Sequence, residues 1–220
     1  MTRLLCVLGL LAMPSLTKAA TPQAPPIHRP YAAEMVELPT FTETNPQDNL
    51  DWFLKKFDEE AAKHKTVTVS FRSDGGRLSI GFAAIAHMNE TKAKYGTWVQ
   101  CVNDDRALSM AFVIFESPAC DERIGTLGNV YMAHQSWVQL DGGYNAHTLL
   151  AMAKELGEKD RAIEAIILAR VHVTAAEYEA NTAYSDWAFG TIGASDVGAI
   201  DFVEDHTNLP KRTLIPGKIK

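Results

Sequence analysis

Stretches that alternate as strands are each followed by stretches that fit a helix, and this repeat constrains the fold more than any other feature. Thr66 to Arg72 (TVTVSFR) puts Val67, Val69 and Phe71 on one face with period two and predicts a strand. Ser73-Asp74-Gly75-Gly76 then reads as a turn, and Leu78 to Met88, small and apolar nearly all round, as a buried helix. Thr97 to Val102 (TWVQCV) predicts a second strand, Asn103 to Arg106 a turn, and Ala107 to Glu116 (ALSMAFVIFE) a second buried helix. Asn129 to Ala133 (NVYMA) predicts a third strand with His134 directly after it, and Leu140 to Gly143 a flexible break. His147 to Val171 reads as helical with a break at Gly157, Thr174 and Glu177 form a capping box, and Ala199 to Val203 predicts a last strand. Ahead of the first strand, Leu50, Phe53, Leu54, Phe57 and Ala61 share one face of a helix that Asp48 or Asn49 can cap. Strands alternating with helices pair in parallel through right-handed crossovers, so the chain reads as an α/β domain with a mostly parallel sheet flanked by helices.

The ends carry different signals. Arg3 precedes an apolar run, Leu4 to Met13, that is too short to span a bilayer. Pro14 and Ser15 break it, and Thr17-Lys18-Ala19 puts small residues where a signal peptidase needs them. Residues 1–19 are therefore expected to be a signal peptide cut after Ala19, which implies a periplasmic or secreted protein. Residues 20–40, with Pro22, Pro25, Pro26 and Pro30, read as a Pro-rich leader, 41–206 as one domain, and 207–220 as a loose basic tail. No later segment has the apolar length of a membrane span.

A formal net charge of -6 leaves no electrostatic footprint for a phosphate backbone, so nucleic acid is not an expected partner. The histidines and cysteines show no metal-ligand spacing, and no P-loop or dinucleotide fingerprint is present, so neither a metal nor a cofactor is expected. Once Cys6 is removed with the signal peptide, Cys101 and Cys120 remain. If the helix after Ser109 runs back along the strand that carries Cys101, Cys120 returns to its level; a disulfide and two separate thiols are both open. Trp98, Trp137 and Trp187 read as core or groove aromatics.

Hydrolysis by a nucleophilic side chain needs a hydroxyl, a base and backbone N–H donors for the oxyanion, and in an α/β sheet these collect where strands end. Three such places stand out: Gly75-Gly76 after the first strand, Ser109 at the start of a helix, and His134 after the third strand. Each alone has an ordinary structural explanation, as a turn, a helix cap or a packed histidine. Together they resemble a known family, the Clp protease proteolytic subunit of the crotonase-like superfamily, whose core is built on a repeated β-β-α pattern. The resemblance runs from about Leu50 to Val203. VSFRSDGG stands where that family has a strand and Ser-Pro-Gly-Gly, ALSMAFVIFES where it has Ala-Ser-Met-Gly-Ala, and NVYMAHQS where it has Val-Met-Ile-His-Gln-Pro. The resemblance implies a serine endopeptidase with Ser109 as nucleophile and His134 as base. It also implies an oxyanion hole from the N–H groups of Gly76 and Met110, and substrate held as an added strand near Gly75 and Gln135.

The third triad member departs from the family pattern. The family's Asp-Thr pair reads Asn181-Thr182 here, so the role falls to Asn181 or, if the loop folds differently, to Asp186. Asp74 replaces the family's proline and puts an anion near the oxyanion site; Asn89 to Tyr95 (NETKAKY) reads as an extra surface loop. The resemblance further implies a homo-oligomer acting on peptides. An exported member has no ATP-driven unfoldase to feed it, so short or already unfolded peptides are the expected substrates. Two other readings stand beside this one: a peptide-binding scaffold with an impaired triad, and a peptidase with a lysine base at Lys154 or Lys159.

Overall fold

The computed structural model describes residues 28–41 and 45–213. The expected signal peptide, residues 20–27 of the Pro-rich leader and the last seven residues of the tail lie outside the described residues. Chain order is β1 (Glu34–Leu38), α1 (Pro46–Lys63), β2 (Thr66–Ser73), α2 (Leu78–Tyr95), β3 (Trp98–Leu108), α3 (Met110–Glu116), β4 (Glu122–Thr126), β5 (Val130–Ala133), α4 (Ala146–Leu168), α5 (Ala175–Thr182), β6 (Trp187–Gly190), α6 (Thr191–Asp196), β7 (Phe202–Glu204) and β8 (Lys211–Thr213). The strands form one sheet in the order β6-β5-β3-β2-β1-β8, with β4 beside β3 and β7 beside β4. Only β5 and β6 pair antiparallel among the described strands, so the sheet is mostly parallel and flanked by helices, the architecture the alternating pattern implies.

The apolar stripe of α1 is the one its spacing predicts: Leu50, Phe53, Phe57 and Ala61 are buried against the sheet. Burying each large side chain contributes about 1.5–3 kcal/mol. Asn45, not Asp48 or Asn49, stands at the helix N-terminus, and Pro46 opens the first turn.

The sheet runs past both boundaries expected for the domain. Part of the stretch 20–40 is β1, whose Met35, Val36 and Leu38 are buried between β2 and β8. A strand buried on both faces, with Glu37 among its buried residues, shows no apolar–polar alternation, which hid it. The tail expected to be loose from Thr207 supplies β8, paired with β1. Before β1, His28 sits against Glu122 and Glu204, and Arg29 lies 4.0 Å over the Trp98 ring.

Two local expectations change, and one strand had no expectation. NETKAKY is not a loop but the last two turns of α2, which Gly96 ends with a left-handed φ of 64°. Asn103 to Arg106 is not a turn: β3 runs through it, and the register against β2 jumps from Phe71–Asn103 to Arg72–Arg106. Asp104 and Asp105 are the residues left over, a bulge in the middle of an 11-residue strand. Before it β3 pairs with β4, and after it with β5. Strand β4 itself escapes notice because it opens with Glu122 and Arg123, both buried. Arg123 donates to Glu116 at 2.5 Å and to Asp201 at 2.8 Å.

Candidate active site

The bulge carries the end of β3 to the mouth of a cavity of about 510 Å³. There the chain turns abruptly into α3, and Ser109 is the turning residue, with φ 53° and ψ -125°. L-residues rarely adopt that backbone, and holding one there costs about 1–3 kcal/mol. The surroundings enforce it: Ser109 N–H donates to the Met132 carbonyl at 2.8 Å, and the Ser109 carbonyl accepts from Val113 N–H at 3.2 Å.

Strand β5 ends at Ala133 and delivers His134. Its Nε2 lies 2.8 Å from Ser109 Oγ, and its Nδ1 lies 2.6 Å from the Gln135 carbonyl oxygen. A carbonyl only accepts, so the Nδ1 nitrogen carries the proton and Nε2 is the acceptor for the Ser109 hydroxyl. That tautomer is the one a base for the hydroxyl needs.

The double-glycine turn closes the other side. Ser73 Oγ donates to the Pro39 carbonyl at 2.8 Å and accepts from Gly75 N–H at 3.2 Å, which pins the turn. Gly75 has φ 81°, and a Cβ on it would lie 2.6 Å from Met110 N. Only glycine lets this backbone come so close to the start of α3. Gly76 forms a bridge with Phe41 in which Phe41 N–H donates to the Gly75 carbonyl and Arg77 N–H to the Phe41 carbonyl, so the Gly76 N–H takes no part in the bridge. Met110 N–H belongs to the first turn of α3, which has no acceptor within the helix and no side-chain cap. Both donors assigned to the oxyanion hole from sequence are thus free of bonds to described residues.

Asp74 also lines the cavity, but its charge is met. Arg106 Nε donates to one carboxylate oxygen at 2.5 Å and Nη2 to the other at 3.2 Å. The rest of the lining is largely apolar and includes Val113, Met132, Ile163, Ile167 and Tyr178. Burial pushes the Tyr178 phenol up, and Asp160 and Glu164 add to the effect. Trp137, expected in a core or groove, stands exposed at the cavity rim.

Neither residue expected to complete the triad meets the imidazole. Asn181 lies in the last turn of α5, where its Nδ2 donates to the Glu177 carbonyl at 2.8 Å and the side chain is solvent-facing. The helix has taken up the amide that sequence reasoning assigned to His134. Asp186, between α5 and β6, makes no hydrogen bond to described residues. Lys154 and Lys159 lie on the exposed part of α4 beside Glu158 and Glu155, away from Ser109. Cys101 and Cys120 are joined by a disulfide, Cα to Cα 5.6 Å, that ties the middle of β3 to the segment after α3. Sequence reasoning missed Arg106 and Asp160. The first falls in a segment with the composition of a turn, and the second carries no motif, only its place on α4.

A mostly parallel α/β sheet with a hydroxyl–imidazole pair and, among the described residues, unbonded backbone donors at its strand ends is an arrangement able to support acyl chemistry. The family model for Clp protease matches residues 54–207, and the chain belongs to that family, which makes it a Clp-type peptidase in general terms. No curated protein matches the chain. Among the described residues no helix is long and apolar enough to cross a membrane.

Proposed function

We propose that this chain is an exported serine endopeptidase that cleaves short or unfolded peptides without an ATP-driven partner. The observation that carries the reading is the 2.8 Å contact between His134 Nε2 and Ser109 Oγ inside a cavity backed by apolar side chains. Ser109 attacks the peptide carbonyl, and His134 takes the hydroxyl proton and returns it to the leaving amine. The N–H groups of Gly76 and Met110 receive the charge that develops on the carbonyl oxygen. An extended peptide lies between the double-glycine turn and the segment after His134, with Gly75 and Gln135 beside it.

Export is supported by the signal-peptide pattern at residues 1–19 and by a buried disulfide, a bond that persists in oxidising compartments. Oligomerisation is supported by an apolar run that the single chain leaves open: Trp137, Val138, Leu140, Tyr144, Leu149 and Leu150 are all exposed.

A second reading, a peptide-binding scaffold, draws on the lack of any carboxylate in contact with His134 among the described residues. A fluorophosphonate probe separates the two. The peptidase reading expects labelling that is lost in Ser109→Ala and His134→Ala; no labelling at neutral pH favours the scaffold.

A further inference from the structure

We propose that Asp160 is the positioning acid of this site and acts on His134 through one peptide group, that between Gln135 and Ser136. The proposal rests on the reading of Ser109 and His134 as nucleophile and base. The Gln135 carbonyl, which accepts from His134 Nδ1 at 2.6 Å, and the Ser136 N–H, which donates to Asp160 Oδ1 at 2.8 Å, belong to the same peptide unit. In a trans peptide these groups point in opposite directions. Imidazole, peptide and carboxylate therefore stand in line, each donor aimed at the next acceptor.

The electrostatics follow from that order. A carboxylate on the N–H side polarises the peptide and makes its carbonyl oxygen a stronger acceptor. The oxygen then holds the proton on Nδ1 more firmly, which leaves Nε2 as the base toward Ser109. When the imidazole gains a second proton, the negative charge of Asp160 lies at the far end of the same chain. A direct carboxylate would do this more strongly, and the peptide transmits part of the effect.

Two departures from the family pattern fit together in this arrangement. The position after His-Gln is proline in the family block, and proline has no N–H to give; here it is Ser136. The family's aspartate is Asn181 here, and its amide is engaged within α5. Among the described residues no acid meets the imidazole directly, and Ser136 has the donor that lets another acid act at one remove. Asp160 sits on α4 in a cleft with Arg161 and Glu164 of the same helix, Tyr178 and Glu179 of α5, and Gln135. Ser136 N–H is the group it bonds.

Three variants test this: Asp160→Ala, Asp160→Asn and Ser136→Pro. The last deletes the N–H and leaves the carboxylate in place. Two signals are read: the rate at which a fluorophosphonate labels Ser109, and the 15N shifts of the His134 ring, which report its tautomer. Asp160→Ala and Ser136→Pro should each slow labelling by about 10-fold. The double variant should be no slower than either alone, because both break one chain. Asp160→Asn, which keeps an acceptor without the charge, should recover part of the rate. The ring shifts should move from a single Nδ1–H tautomer toward a mixture in Asp160→Ala and Ser136→Pro. Unchanged labelling and unchanged shifts in Asp160→Ala overturn the proposal, as does a larger loss in Asn181→Ala or Asp186→Ala. If the unmodified protein is not labelled at all, the peptidase reading fails by itself, and the His134 ring shifts alone then decide the role of Asp160.

Discussion

Arg106 grips Asp74 through both carboxylate oxygens, at 2.5 and 3.2 Å, on the rim of the cavity that holds Ser109. The guanidinium also reaches Asp105 at 2.6 Å, so the β3 bulge and the double-glycine turn are clamped together. Without the clamp, a bare carboxylate would face the place where negative charge develops during acylation. Arg106→Ala should therefore slow fluorophosphonate labelling of Ser109, by roughly 10-fold for the loss of a charge-assisted pair at a half-exposed site. Adding Asp74→Asn should restore most of the rate. A double variant as slow as Arg106→Ala alone would show that the arginine acts by some route other than neutralising Asp74.

The backbone of Ser109 offers a stability test. Its φ of 53° with ψ -125° suits glycine far better than serine. Ser109→Gly should abolish labelling and stabilise the fold by about 1 kcal/mol, which for a chain of this size raises the Tm by about 2–4 °C. Ser109→Ala should abolish labelling without that gain. Calorimetry on the two variants gives the comparison, and an equal Tm for both would mean that the turn holds no strain.

The disulfide between Cys101 and Cys120 closes a loop of sequence separation 19, and both residues are buried. By loop closure it should contribute about 3 kcal/mol. A Cys101→Ala/Cys120→Ala variant should unfold at a lower urea concentration, with a somewhat steeper slope because the unfolded chain is no longer held by the loop. Native protein cut after Ala19 should yield no titratable thiol until it is both unfolded and reduced. A thiol that reacts in the native state would contradict the bond.

Glu116 makes stability depend on pH. It is wholly buried at the end of α3, with Oε2 bonded to Arg123 and Oε1 without a partner among the described residues. Burial pushes its carboxyl from the ordinary 4.5 up to about 8, against the pull of Arg123. The folded protein keeps the proton between those two values while the unfolded chain releases it. Stability from this group is thus full below about 4.5 and falls as the pH rises through the window to about 8. Glu116→Gln should flatten the fall in Tm across that window, as read by thermal unfolding at several pH values. A variant with the same slope as the unmodified protein would assign the dependence elsewhere.

Much of this molecule was written along the chain. The period-two run Val67, Val69, Phe71 and the helical stripe of α1 each bury one face, so local pattern and tertiary burial agree there. The double glycine, Ser109 and His134 sit at strand ends, which a parallel sheet gathers on one edge, and the resemblance of their three blocks to one family marked them as one site. Charged and polar stretches were another matter. The Asn103–Arg106 segment has the composition of a turn, yet neighbouring strands on both sides hold it extended and absorb two residues as a bulge. Buried Glu122 and Arg123 look like surface residues until Glu116 and Asp201 are brought beside Arg123 from distant parts of the chain. The partner of His134 was equally beyond reach. The resemblance nominated Asn181, with Asp186 nearby as its substitute, but which acid lies behind the imidazole depends on where α4 lies relative to the segment after β5. No local rule sets that packing, because it is decided by side chains brought together from many separate segments of the sequence.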